Sequence, residues 1–197
     1  MGAEEKGGKA VPKAPIMAIF TEDGLLIPSS EESEVLSSKG YGKPSERGLN
    51  LTLYEGLYLL SRGVIEVQDG ETGEEITFQE LLRRYRDSDE DAWVKYLIYR
   101  DLRSRGYVVR EGFGLGIDFR VYERGKYGKG TADRLIYGIR EGKPVSVEDL
   151  ARSLSYVQNL KKKLVLAVLN RRGEIVYYSL SKLAFKPSEA QPNLGSE

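Results

Sequence analysis

KYLIYRDLRSRGYVVREGFGLGIDFRVY, residues 95–122, reads as the end of a helix, a glycine stop, a strand, a glycine-rich turn and a second strand. Gly106 stands where a helix C-terminus needs a residue free to take positive φ. Residues 107–110 and 117–122 are rich in the β-branched and aromatic side chains that suit strands. Gly112, Gly114 and Gly116 punctuate the turn between them. Asp118 and Arg120 alternate with apolar residues along the second strand, a pattern that predicts both face solvent.

Toward the C-terminus the pattern continues with a strand over 135–139. Ser146 caps a helix running to about Leu160, with Val147, Leu150, Leu154 and Val157 on its buried side. Residues 164–169 are continuously apolar and read as a buried central strand. A turn at 171–173 leads into Ile175–Leu180, which alternates and suits a sheet edge.

Toward the N-terminus, the helix that ends at about Arg105 is predicted to start from a Ser88 cap. Its Trp93, Tyr96, Leu97 and Leu102 should face the core. Thr77 and Glu80 have capping-box spacing at the head of a helix to about Tyr85, and Thr52 and Glu55 repeat it before a helix stopped by Gly63. Leu53, Leu57 and Leu60 share one face of that helix. Residues 64–67 form a strand, 69–73 a turn, 31–38 a short helix, and 16–28 two short strands around a turn at 22–24. GYGKPSERG, residues 40–48, reads as loop. The expected organisation is a disordered tail over 1–15, a small α/β N-terminal domain over 16–105, a mixed-sheet α+β domain over 106–187 and a polar tail over 188–197. The class as a whole is α+β.

Composition narrows the chemistry. With 40% hydrophobic residues, the 197-residue chain can build a core. No apolar run approaches the roughly 18–20 residues of a membrane span, and no apolar signal region opens the chain. These features predict a cytoplasmic protein with no membrane partner. There is no cysteine and no histidine. Carboxylates and backbone carbonyls are then the remaining metal ligands, suited to hard cations at best, and no cofactor is expected. The net charge of zero hides an asymmetry. Residues 1–95 carry 11 Lys and Arg against 19 Asp and Glu, and residues 96–197 carry 19 against 11. A basic second half fits either a polyanion partner or neutralisation by the acidic half within the protein or an oligomer.

YRDLRSRGYVV followed by DFRVY closely resembles the tRNA-splicing (tRNA-intron) endonuclease family of archaeal type. The helix LTLYEGLYLL, the segment KGYGKP and the run KKKLVLAVLNRRGEIVYY (161–178) extend that resemblance over nearly the whole chain after residue 15. It implies metal-independent excision of introns from precursor tRNA at bulge–helix–bulge sites, leaving 2′,3′-cyclic phosphate and 5′-hydroxyl ends. It also implies a catalytic tyrosine as base, a histidine as acid and a lysine to stabilise charge. The tyrosine falls on Tyr122 and the lysine on Lys162, within 161–163. The histidine position falls on Thr131, which cannot donate a proton to an alkoxide near neutral pH. An arginine that clamps a bulged base falls on Ser155, with Arg152 nearby. The family's acidic plugging loop has no acidic counterpart here, because residues 170–174 read NRRGE.

The resemblance therefore implies a non-catalytic structural subunit, paired with a catalytic endonuclease subunit in an α2β2 heterotetramer and acting on precursor tRNA. The alternatives are an active RNA endonuclease that lacks the usual histidine and a non-cleaving structured-RNA-binding module. Candidate RNA contacts are Arg124, Lys126, Lys129, Arg152, Lys161 and Lys163. Lys39, Lys43 and Arg47 are either RNA contacts or, more commonly for such loops, solvated charges. Tyr122 could equally be a packing residue, and residues 161–163 a solvated helix end beside the C-terminal dipole.

Overall fold

The computed structural model describes residues 14–22 and 24–182. The tails expected over 1–15 and 188–197 lie outside the described residues, apart from Ala14 and Pro15. The chain runs β1 (Ile16–Thr21), β2 (Gly24–Pro28), α1 (Glu31–Ser38), β3 (Lys43–Ser45), β4 (Gly48–Leu51), α2 (Leu53–Ser61), β5 (Ile65–Asp69), α3 (Phe78–Ser88) and α4 (Ala92–Ser104). It continues through β6 (Val108–Gly114), β7 (Ile117–Tyr122), β8 (Arg134–Arg140), α5 (Val147–Asn159), β9 (Lys163–Leu169) and β10 (Ile175–Leu180). Two mixed five-stranded sheets result, ordered β3-β4-β2-β1-β5 and β10-β9-β8-β7-β6. With five helices packed on them, the class is α+β.

In the first sheet β1 pairs antiparallel with β2 and parallel with β5, Ile16 lying opposite Ile65. In the second, β8 and β9 run parallel from Arg134↔Lys163 to Arg140↔Leu169, joined through α5. The other neighbours in that sheet are antiparallel. The apolar run 164–169 therefore sits inside the sheet, and β10 forms its edge.

The helix starts follow their caps. The Thr52 side chain accepts from Glu55 N–H while Glu55 Oε2 accepts from Thr52 N–H at 2.9 Å, a complete capping box. The Thr77 side chain accepts from Glu80 N–H, but the Glu80 carboxylate turns instead to Arg83 and Arg84.

Several expectations are corrected. Residues 40–48 are not all loop: β3 and β4 form a hairpin, Lys43 opposite Asn50. Gly48 (φ 139°) lets β4 approach β2 so closely that a Cβ would lie 2.1 Å from Ile27 O. Ser88 does not start α4. It ends α3, its hydroxyl donating to Tyr85 O at 2.9 Å, and α4 begins at Ala92 after a short acidic turn to which Lys95 reaches back at Asp89 (2.6 Å). Trp93 is 40% exposed on the outer face of α4, whereas Tyr96, Leu97 and Leu102 are buried. Val147, the first residue of α5, points into solvent while Val157 is buried.

Asp118 is not solvent-facing either. Its Oδ2 accepts Gly138 N–H at 2.7 Å and Lys95 stands 3.6 Å away. The lack of a side chain at Gly138 makes this room, since a Cβ there would meet Asp118 Oδ2 at 3.0 Å. Burial pushes the carboxyl pKa up, opposed by Gly138 N–H and Lys95.

One apolar core runs through both sheets, from Ala18 in β1 to Leu169 in β9. Helix α4 lies at its centre, with Ala92, Val94, Tyr96, Leu97, Ile98, Tyr99 and Leu102 all buried. It packs on α2 and α3 on one side and on β6, β8, β9 and β10 on the other. A smaller cluster of Ile117, Leu135, Val157 and Leu164 seats α5.

Candidate functional site

Three strand ends meet at one end of the second sheet. Tyr122 closes β7, residues 131–133 lead into β8, and Lys162 directly precedes β9. The ladder ties them together: Asp133 N–H donates to Val121 O at 3.1 Å, and Lys163 N–H donates to Asp133 O at 3.3 Å.

Lys162 is aimed by the end of α5. Lys161 N–H donates to Gln158 O (2.8 Å) and Lys162 N–H to Val157 O (3.1 Å). This is a Schellman closure with Lys161 at the left-handed position. Its φ of 56° is one that glycine usually fills. The closure turns the chain so that Lys162 Nζ donates to Thr131 Oγ1. Lys161→Gly should relieve about 1 kcal/mol of left-handed strain, partly offset by the greater freedom of glycine in the unfolded chain. Urea denaturation should show a small gain in stability. A loss would mean that the closure depends on the lysine stem.

Tyr122 stands at the same sheet end without joining that pair. Its ring packs edge-on to Tyr127, with centroids 5.2 Å apart. Tyr127 in turn lies over Gly40, where a Cβ would meet its ring at 3.2 Å. Tyr122 therefore has a packing role as well as a position at the site.

The basic candidates divide into engaged and free. Arg124 Nε donates to Arg105 O at 2.9 Å and so closes the C-terminus of α4. A Cβ on Gly106 (φ 84°) would lie 2.8 Å from that Nε, so the predicted helix stop also makes room for Arg124. Lys126 pairs with Glu123 at 2.7 Å and holds that carboxyl below its usual range. Arg152 pairs with Glu148 (3.0 Å) and Asp149 (3.4 Å) one turn back on α5. Ser155 is exposed on the same helix. Lys129, Lys161 and Lys163 are exposed and make no ion pair among the described residues. In the N-terminal half, Lys43 pairs with Glu111 at 2.8 Å, and the Lys39 carbonyl accepts from Arg103.

Sequence reasoning missed Asp133. Its Oδ2 is buried at the strand junction with no hydrogen-bond partner. Its position two residues after Thr131 was visible, but not its burial. Among the described residues no group of three or more carboxylates is placed to hold a metal ion. None of the described helices is long and apolar enough to cross a membrane.

Comparison with known proteins agrees with this architecture. Residues 17–82 match the tRNA intron endonuclease N-terminal domain, and residues 92–177 match the tRNA intron endonuclease catalytic C-terminal domain. The chain is 36% identical to the tRNA-splicing endonuclease of Pyrococcus furiosus over 148 residues, which covers 75% of this chain and 84% of that protein. It is 32% identical to that of Methanococcus maripaludis over 174 residues, covering 88% and 98%. It is also 35% identical to that of Methanococcoides burtonii, where the match covers 89% of this chain but spans only about half (49%) of the relative.

Proposed function

Because the chain belongs to the tRNA-splicing endonuclease family, we propose that it serves there as a structural subunit, holding precursor tRNA beside a histidine-bearing catalytic partner. The observation that carries this reading is the Lys162–Thr131 hydrogen bond in a chain without histidine. Cleavage to a 2′,3′-cyclic phosphate needs one group to take the 2′-hydroxyl proton and another to protonate the leaving 5′-oxygen. A threonine hydroxyl is far too weak an acid for the second task. The lysine that would face the phosphorane donates to that hydroxyl instead.

Lys129, Lys161 and Lys163 then serve as phosphate contacts. The edge strand β10, with Val176 and Tyr178 exposed, offers a pairing surface for a partner strand in an α2β2 assembly.

The test is cleavage of an end-labelled bulge–helix–bulge RNA in EDTA by this chain, by a histidine-bearing homologous chain and by their mixture. Cutting by the mixture alone is expected. Cutting by this chain alone would overturn the reading and favour a second one, in which the chain cleaves RNA itself through Tyr122 and Lys162 with an acid other than histidine. In that case Tyr122→Phe should abolish cleavage.

A further inference from the structure

The basic turn between β9 and β10 has no part in the site at Lys162. Asn170 holds that turn rigid: its Oδ1 accepts the N–H groups of Arg172 and Glu174, both at 2.9 Å, and its Nδ2 donates to Glu174 Oε2 at 2.9 Å. Beside the turn lies an open groove of about 1060 Å³ between α2, α4 and the start of β10. Arg62, Arg100, Arg103 and Arg105 line it, against Asp101 and Glu174.

Both carboxylates already have partners. Asp101 pairs with Arg105 at 2.8 Å and accepts from Tyr177 Oη at 2.7 Å, and Glu174 is held by Asn170. Arg103 is also engaged, donating to Lys39 O at 3.2 Å and lying 3.8 Å over the Tyr41 ring. Arg62 and Arg100 remain in the groove and Arg172 on the turn, all exposed and without an ion pair among the described residues. Arg100 is steadied over the Tyr96 ring at 5.7 Å. These are three uncompensated cations on three ordered elements.

We infer that this groove and turn form a phosphate track for an RNA duplex. The inference rests on the reading that the chain handles precursor tRNA, and it adds a second contact region. The seven residues of β9 separate the track from Lys162 by about 20 Å at the usual strand rise. Duplex RNA is taken up mainly through its phosphates and 2′-hydroxyls. The three cations stand on separate elements, the end of α2, α4 and the turn, and none is compensated among the described residues, which suits a polyanion that meets them at several points.

The test measures binding of the full-length chain to a plain RNA hairpin by fluorescence anisotropy over a series of salt concentrations in EDTA. The triple variant Arg62→Ala/Arg100→Ala/Arg172→Ala is compared with wild type after circular dichroism melts show that both fold. The variant should bind about tenfold or more weakly at low salt, whatever the duplex sequence. The slope of log K against log salt should fall by about 3, one for each arginine. An unchanged slope would overturn the track while leaving the structural-subunit reading intact. If the variant instead loses co-elution with the catalytic partner at an unchanged slope, the groove belongs to an acidic protein segment. No salt-dependent RNA binding by the wild-type chain would overturn both the track and its premise.

Discussion

Glu55→Ala is expected to destabilise the fold by about 3–5 kcal/mol, well beyond the roughly 1 kcal/mol of an ordinary helix cap. Glu55 is only 3% exposed. Its Oε2 accepts Thr52 N–H at 2.9 Å, and its Oε1 accepts Gly42 N–H at 3.1 Å and lies 3.5 Å from Arg110. Arg110 in turn donates to Gly40 O at 3.0 Å. One carboxylate thus joins the start of α2, the turn before β3 and, through Arg110, strand β6. Alanine would strand two backbone donors and a largely buried guanidinium. Chemical denaturation of the two proteins measures the difference, and a cost near 1 kcal/mol would reduce Glu55 to a simple cap.

The same group gives a pH signature. Burial pushes the Glu55 pKa up, against the pull of Thr52 N–H, Arg110 and Gly42 N–H. A carboxyl raised in the folded state binds its proton at higher pH than it does in the unfolded chain. The proton-linked part of its contribution is therefore complete below the unfolded value of 4.5 and is lost as pH rises through the folded value. Glu55→Gln removes this contribution. The Tm gap between wild type and Glu55→Gln should widen as pH falls from 7 toward 4.5, and a gap that narrows would contradict the assignment.

The second large effect concerns Thr131. If the chain is a catalytic scaffold that lacks only its acid, Thr131→His should confer cleavage of the bulge–helix–bulge RNA on this chain alone. A positioned general acid contributes on the order of 10²–10⁴-fold, enough to lift the rate above that of wild type. The imidazole would stand where Lys162 now finds a hydroxyl, which frees the ammonium group for the developing charge. Single-turnover kinetics on the variant and on Thr131→His/Lys162→Ala would check this. If Thr131→His stays inactive but folded, the chain lacks more than the acid, and Ser155, where the resemblance places a base-clamping arginine, is the next position to change.

Much of the fold was legible because its signals are local. Thr52, Thr77 and Ser146 mark helix starts through hydrogen bonds that span three residues. The run 164–169 and the alternation of Ile175–Leu180 separate an inner strand from an edge strand. Signals failed where the deciding partner is distant in sequence. Ser88 looked like a cap because it precedes acidic residues and a helix, yet Asp89 and Lys95 close that corner. Asp118 alternates as a surface residue should, but Lys95 and Gly138 enclose it. Glu55 was visible as half of a capping box, though its Arg110 partner lies 55 positions away. At the candidate site, the family resemblance singled out Tyr122, Thr131 and Lys162, while the strand order that gathers them at one sheet end is seen only in the fold. Which cations already have partners does not: Arg124, Lys126 and Arg152 differ from Lys129, Lys161 and Lys163 only in their neighbours.

The continuous core around α4 bears on how the chain comes off the ribosome. Residues up to about 90 can form the first sheet's hairpins, but the apolar faces of α2 and α3 await α4. That helix is buried on its other side by β8, β9 and β10, strands that emerge after it. Neither half closes its interior alone, so this core should assemble only once β10 has emerged and be lost in a single cooperative step.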